Sequence, residues 1–224
     1  MCEEIRMIAF DMDGVLTKCR SSWRALHLHF GSLGLVEEES SASKFRNGDI
    51  DYLQWMRQDT EAILLAARKP VRKEEIRAVL LGLEVDEDAE RVVKFVKKLG
   101  IKTAIISGGI DILAEELQRK LGIDYVYANK LIFDENGFLR PGGVEVVNPL
   151  RKDEVLKELS SRTGIPLTKF MYIGDSEWDC SAFKAVKYPV FLKRDDDDVH
   201  CVPNLRTISR LRELIDLLED LCGI

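Results

Sequence analysis

The sequence predicts an α/β protein, a doubly wound parallel sheet with a small helical unit inserted after its first strand. Three observations carry that reading. From residue 86 onward, short apolar runs alternate with amphipathic stretches, several of them ending in glycine, the pattern of strands buried on both faces under helices. Between about Ser21 and Leu83 the apolar residues instead recur at helical spacing, with no strand-like run. The apolar runs at residues 5–10, 101–106 and 170–173 each stop at small or acidic residues, and ligands of open parallel sheets gather beyond such strand ends.

Taken in order, residues 5–10 form a short apolar strand, too short and too charged a start for a signal peptide. Trp23, Leu26, His27 and Phe30, then Tyr52, Trp55, Met56, Ile63 and Leu64, give the insert amphipathic helices whose aromatics pack its own core. Residues 86–99 read as a helix stopped by Gly100, 101–106 as a buried strand, and 110–121 as a helix stopped by Gly122. A strand at 125–128 leads to a hairpin turn over 133–138, where Asn136-Gly137 is the strongest short turn signal. Helices at 153–162, 181–186 and 208–221 alternate with strands at 170–173 and 189–192. The division that follows is residues 1–17 with 86–224 as a core and 18–85 as the inserted unit.

The 224 residues are 46% hydrophobic and 32% charged, the balance of a globular rather than a disordered chain. A net charge of −6 and a pI near 5.3 leave no basic footprint for nucleic acid or an anionic membrane. No apolar run approaches the ~18 residues of a membrane span. The expected partner is therefore a small molecule, and the sequence is silent on oligomeric state. The five cysteines (Cys2, Cys19, Cys180, Cys201, Cys222) are odd in number and scattered, with no C-x-x-C pair. Together with only three histidines, they predict neither a zinc cluster nor a disulfide framework, and so a reduced, cytoplasmic setting. No Gly-x-Gly-x-x-Gly or Walker-type loop is present, which leaves nucleotide-cofactor functions without a foothold.

Three clusters carry the chemistry. Asp11-Met12-Asp13-Gly14-Val15-Leu16-Thr17 follows the first strand, Ser107-Gly108-Gly109 the second, and Gly174-Asp175-Ser176-Glu177-Trp178-Asp179 a later one. Parallel strands bring all three to one sheet edge. Carboxylates crowded there repel one another unless a hard cation lies between them, and magnesium favours such oxygen ligands. Asp11, Asp175 and Asp13, the last through a nearby carbonyl, are the expected ligands, with Asp179 in support. Ser107 with the Gly108 and Gly109 amides is expected to open a helix and offer donors to an anion.

These clusters, with Ile106 before the serine and a later lysine, resemble the four motifs of the haloacid dehalogenase superfamily. More narrowly, residues 106–129, the hairpin, Lys152-Asp153-Glu154 and residues 174–179 resemble its phosphoserine phosphatase branch. The likeness covers residues 5–17 and about 86–190, and the insert only loosely. It implies a Rossmann-like core that hydrolyses a phosphate monoester with magnesium. Asp11 would be the nucleophile that forms an aspartyl-phosphate, and Asp13 the acid that protonates the leaving oxygen and then activates water. Ser107 would bind phosphoryl oxygens, and Lys152, ahead of its neighbours Arg151 and Lys157, would neutralise charge on Asp11 and the phosphate. Asp175 would hold magnesium and Asp179 would brace the site. Transfer of the phosphoryl group to another hydroxyl is the alternative use of the same chemistry. A non-catalytic phosphate-binding module is a third reading, and the joint presence of Asp11, Asp13, Lys152 and Asp175 argues against it.

The resemblance further implies that residues 18–85 form a helical cap that closes over the site and selects the leaving group. Here the chain departs from the branch. Arg20 stands where the phosphoserine phosphatases carry a glutamate for the serine amine, and near Arg57-Gln58-Asp59 aspartate is the nearest match to their carboxylate-binding arginine. Arg20, Trp23, Tyr52, Trp55 and Arg57 are thus expected to shape a different pocket, one for an anionic or planar leaving group. Trp178 stands where the branch often has asparagine, the run 195–198 reads as a solvated acidic loop, and His27 and His29 read as packing or surface residues.

Overall fold

A strand with no polar side chain must be covered on both faces, and β1 (Met7–Phe10) is buried at all four positions. In the computed structural model, which describes residues 2–194 and 198–223, the further strands are β2 (Lys102–Ile110), β3 (Tyr125–Phe133), β4 (Leu139–Val144), β5 (Phe170–Gly174), β6 (Tyr188–Leu192) and β7 (Arg206–Ile208). Their order across one sheet is β4-β3-β2-β1-β5-β6-β7. Every neighbouring pair is parallel except β3 with β4, which close an antiparallel hairpin. The chain runs outward from β1 through β2 and β3, then returns to β5 on the other side. β1 is therefore the switch point of the sheet, where a crevice opens beyond the carboxyl ends of β1, β2 and β5.

Alternation along the strands divides the core in two. Ile8, Phe10, Ile105 and Ile173 face α6 (Ala89–Lys98), α7 (Asp111–Leu121) and α10 (Glu213–Cys222) through Val92, Val96, Leu117 and Leu214. Met7, Ala9, Ala104 and Tyr172 face α8 (Lys152–Thr163) and α9 (Cys180–Ala185) through Leu156, Leu159 and Phe183.

Between β1 and β2 the described chain is helical: α1 (Ser22–Phe30), α2 (Leu33–Glu39), α3 (Ser41–Asn47), α4 (Tyr52–Ala67) and α5 (Lys73–Leu81). Ser21 caps α1 by accepting from the Arg24 amide, and Asp51 with Gln54 forms a capping box at α4. The chain leaves and re-enters the core side by side, at a bridge between Thr17 and Val85, and the Lys18 amide donates to the Glu84 carbonyl at 2.9 Å. α4 lies on β4: the Gly142 amide donates to Thr60 Oγ1 at 2.8 Å, and a Cβ at Gly143 would fall 2.0 Å from Met56 Cε.

Several expectations are corrected. β2 continues through Ser107-Gly108-Gly109 to Ile110, so these residues end a strand and α7 begins only at Asp111. The pairing with β3 slips between Ile106 and Ile110, a bulge that side-chain-free Gly108 and Gly109 permit. Residues 206–208 form an edge strand, β7, that was not expected, three residues being too few to show an alternation, and the helix expected from 208 begins at Glu213.

The cysteines give the largest correction. Cys2 pairs with Cys222 and Cys180 with Cys201, with Cα separations of 4.9 and 5.8 Å. Among the described residues the free thiol is Cys19. Scatter along the chain hid this pairing, because the segment before β1 and the end of α10 meet in the same core layer. Among the described residues no helix is long and apolar enough to cross a membrane. The acidic run 195–198 lies outside the described residues except for Asp198, which pairs with Lys193 at 2.7 Å.

Candidate active site

The ends of β1, β2 and β5 converge on a buried group of carboxylates. Asp11 leaves β1 and its Oδ1 accepts from the Met12 amide at 2.7 Å. The turn that follows needs Gly14 in the left-handed region, φ +74°. Asp175, the first residue past β5, folds its carboxylate against that turn, at Gly14. Asp13 is held by Ser22 at the start of α1: the Ser22 amide and Oγ each donate to Oδ2 at 2.8 Å. Its other oxygen, Oδ1, is buried with no hydrogen-bond partner among the described residues.

One lysine faces this group. Lys152 opens α8, where a cation opposes the helix dipole. Its stem is buried, and Nζ lies 2.8 Å from Asp11 Oδ2, 2.6 Å from Asp179 Oδ1 and 3.2 Å from the Tyr172 hydroxyl. The Lys152 amide donates to Ser181 Oγ at 2.9 Å, which ties the start of α8 to α9. Asp179 is fully engaged: Oδ1 also accepts from Tyr172 at 2.8 Å, and Oδ2 accepts the amides of Asp175 and Ser176 at 3.0 and 3.2 Å. Its carboxyl packs where a Cβ at Gly174 would be, 2.3 Å from the carboxyl carbon. Arg151 and Lys157 point away and pair with Glu154 and Asp153.

Electrostatics follow from burial. Desolvation lifts Asp13 to about 6 against the pull of its two Ser22 hydrogen bonds. It lifts Asp175 to about 6 as well, with Asp179 adding to the rise and Arg20 and Lys152 opposing it. Asp11 is raised by burial; Lys152 opposes that rise, and the neighbouring Asp179 and Asp175 add to it. For Lys152 burial disfavours the charge, yet Asp11 and Asp179 more than offset that and hold it protonated. The group is short of positive charge.

That shortage is what a hard cation would relieve. Asp11, Asp175 and Asp179 present carboxylate oxygens within 4.8 Å of one another. Asp179 is the more heavily loaded, accepting from Lys152, Tyr172 and two amides where each Asp11 oxygen accepts from one donor, so Asp11 and Asp175 are the better ligands, and the donor set is the all-oxygen one that magnesium takes. The Asp13 side chain turns to Ser22 through Oδ2, and Asp175 lies against the next residue, Gly14.

A cavity of about 260 Å³ opens over these residues. Asp11, Asp13, Ser107 and Lys152 form its floor, and Trp23, Tyr52, Trp55 and Trp178 its walls. Trp178 stacks on Phe45 (6.2 Å, 17°) and lies 5.9 Å from Trp55, so it fits the insert's aromatic cluster where a smaller polar residue would not. Arg46 covers Trp178, its guanidinium carbon 4.2 Å from the ring centre.

Arg20 lines the cavity with Nε 3.3 Å from Asp175 Oδ2. Arg57 does not: helical phase turns Tyr52, Met56 and Asp59 of α4 inward and Arg57 outward, where it pairs with Glu61 at 2.9 Å. Asp59 is buried, lines the cavity and lies 3.3 Å from His27 Nε2, whose other ring nitrogen is 2.7 Å from Ser32 Oγ. His29 is half-exposed, beside Glu75.

Three residues escaped the sequence reading. Ser22 and Tyr172 left no signal beyond their types. Asn129 did, as an amide that follows the apolar run 125–128 in β3, buried completely.

The sequence model of the haloacid dehalogenase-like hydrolase family matches residues 5–187. The chain is similar to a phosphoserine phosphatase of Methanocaldococcus jannaschii, 28% identical over 180 residues that cover 80% of this chain and 81% of that protein. Among solved structures it is similar to a substrate-bound phosphoserine phosphatase complex, with a TM-score of 0.77 at 25% identity over 96% of this chain and 99% of the other. It is also similar to a phospho-aspartyl intermediate analogue of phosphoserine phosphatase, with a TM-score of 0.74 at 26% identity over 96% and 99%.

Proposed function

The chain belongs to the haloacid dehalogenase-like hydrolases, and we propose that it is a magnesium-dependent phosphomonoesterase acting on a small organic phosphate through an aspartyl-phosphate on Asp11. The observation that carries this reading is the Asp11–Lys152–Asp179 chain, a buried nucleophile candidate 2.8 Å from a lysine that is itself braced at 2.6 Å. A carboxylate and a phosphate ester repel each other, so the approach needs fixed positive charge at the point of contact. Lys152 supplies part of it. Magnesium held by Asp11, Asp175 and the main chain of Asp13 would supply the rest when bound.

In the first step a carboxylate oxygen of Asp11 forms a bond to phosphorus as the ester oxygen leaves. Asp13 gives that oxygen a proton from Oδ1, the oxygen not engaged by Ser22. In the second step Asp13 takes a proton from water, the water oxygen bonds to phosphorus, and Asp11 is released with inorganic phosphate. An acid lifted to about 6 by burial suits both proton transfers. Ser107 Oγ, already accepting the Gly109 amide at 3.1 Å, keeps its hydrogen for a phosphoryl oxygen.

Residues 18–85 are the cap, and residues 1–17 with 86–224 the catalytic core. The relatives named above are phosphoserine phosphatases, but here Arg20 is drawn to Asp175, and the carboxylate that the insert adds to the aromatic-walled cavity is Asp59. Of the anionic or planar leaving group expected, the planar one is the better match, because Arg20 is paired with Asp175 and Asp59 adds negative charge to the aromatic walls.

The test is phosphate release from a broad library of monoesters, with and without magnesium, by wild type and Asp11→Asn. Release that needs both magnesium and Asp11 is expected. Release from no ester would overturn the activity, and phosphoserine outpacing all other esters would overturn the pocket reading.

A further inference from the structure

The peptide bond between Gly108 and Gly109 is engaged at both ends. Its carbonyl, on Gly108, accepts from three side chains: the Tyr52 hydroxyl at 2.8 Å, Asn129 Nδ2 at 3.0 Å and Trp23 Nε1 at 3.2 Å. Its N–H, on Gly109, donates to Ser107 Oγ at 3.1 Å. A peptide unit is planar, so what turns the carbonyl turns the N–H with it.

The β2–β3 register slips between Ile106 and Ile110, which removes this peptide from the regular ladder. The donors come from two parts of the chain. Asn129 belongs to β3 and is itself held on both sides, its Oδ1 accepting the Val146 and Val147 amides at 2.7 and 2.8 Å and its Nδ2 also donating to the Val147 carbonyl at 2.9 Å. Trp23 and Tyr52 belong to α1 and α4 of the insert. A carbonyl oxygen has two lone pairs, so three donors mark an unusually loaded acceptor. Donors on a carbonyl polarise the peptide and strengthen its N–H as a donor. Burial pushes the Tyr52 phenol far above its ordinary range, so it remains a donor throughout.

We propose that Tyr52 and Trp23 are positioning residues for Ser107: from the insert they clamp the Gly108 carbonyl so that the Gly109 amide holds Ser107 Oγ with its hydrogen aimed at the phosphoryl group. Docking of the insert and readiness of the phosphate site are thereby one event. This rests on the phosphatase reading above only in taking Ser107 as a phosphoryl ligand.

The experiment is a double-mutant cycle on the full chain with magnesium, using Tyr52→Phe, Ser107→Ala and the double variant, with Trp23→Phe as a second probe that keeps an aromatic ring. Two readings are taken: kcat/KM for esters with unlike leaving groups, and the affinity of inorganic phosphate measured by calorimetry. Tyr52→Phe is expected to lower kcat/KM about five- to tenfold, the worth of one buried hydrogen bond. The factor is the same for every ester, phosphate affinity falls with it, and the loss vanishes once Ser107 is alanine. Trp23→Phe shows the same pattern more weakly.

Losses that add to those of Ser107→Ala, or that fall on one class of leaving group and spare phosphate affinity, would overturn the proposal and leave both residues as pocket wall. A wild type that releases phosphate from no ester defeats the phosphatase reading instead. The calorimetric arm still decides the coupling in that case, and phosphate affinity unmoved by Tyr52→Phe counts against it.

Discussion

Gly14 and Asp175 occupy the same space. A Cβ at Gly14 would lie 1.9 Å from Asp175 Oδ2, and Gly14 has φ +74°. Two independent reasons thus require glycine here, the left-handed backbone and the approach of the carboxylate. Gly14→Ala is expected to push Asp175 off the Asp11 turn and lower magnesium affinity and kcat/KM together, by about 10²-fold or more, as loss of one electrostatic partner does in comparable sites. Magnesium titrations of activity check this; unchanged magnesium dependence would show that Asp175 is not held by this contact.

Lys152 is the counter-ion of two buried carboxylates, so its removal should act on stability as well as rate. Lys152→Met leaves Asp11 and Asp179 facing each other without a cation. Uncompensated buried charge of this kind costs about 3–5 kcal/mol, and the rate should fall about 10²–10³-fold. Burial raises Asp11 to about 8, so thermal melts with EDTA should show the destabilisation smaller at about pH 5, where protonation removes its charge, than at about pH 9. A variant as stable as wild type at both values would mean the carboxylates are not charged beside the lysine.

The raised carboxyls fix the sign of a pH effect in metal-free protein. Asp13 and Asp175 titrate near 6 in the fold, above the ordinary carboxyl value of 3.8. The folded chain therefore holds extra protons between those values, and stability from these groups is full below about pH 4 and lost as pH rises through 6. Of these two, magnesium needs the Asp175 carboxylate unprotonated, so it should raise the melting temperature little at about pH 5 and by several degrees at about pH 8. Melts with magnesium and with EDTA at the two values check it; an equal increment at both would count against shared carboxylates.

How much of this was legible depended on whether the signal was local. Asp11, Asp13, Ser107 and Asp175 announce themselves because each follows an apolar run that can only be a buried strand. Lys152 is visible mainly through family resemblance and its odd placement at a helix start. Arg57 and Asp59 are two residues apart, and helical phase separates them, turning position 59 inward and 57 outward. The clamp on Gly108 was out of reach: a strand bulge and donors from α1, α4 and β3 meet only in three dimensions. The cysteine pairs failed for the same reason.

The Cys2–Cys222 bond spans 220 residues and joins the two ends of the described chain. A cross-link that closes so long a loop removes conformations mainly from the unfolded state, an effect on the order of 3–5 kcal/mol. In a chain of this size each kcal/mol moves the melting temperature by about 2–4 °C. Cys2→Ser should therefore melt roughly 10 °C lower than wild type under oxidising conditions, and the gap should close in reductant. Its kcat should stay near the wild-type value, since both cysteines pack with the outer layer of α6 and α10 rather than the strand ends. Thiol counting under denaturing, non-reducing conditions supplies the direct check: one reactive thiol, Cys19, is expected in wild type, two in Cys2→Ser, and five reactive thiols in unreduced wild type would remove the premise of the stability effect.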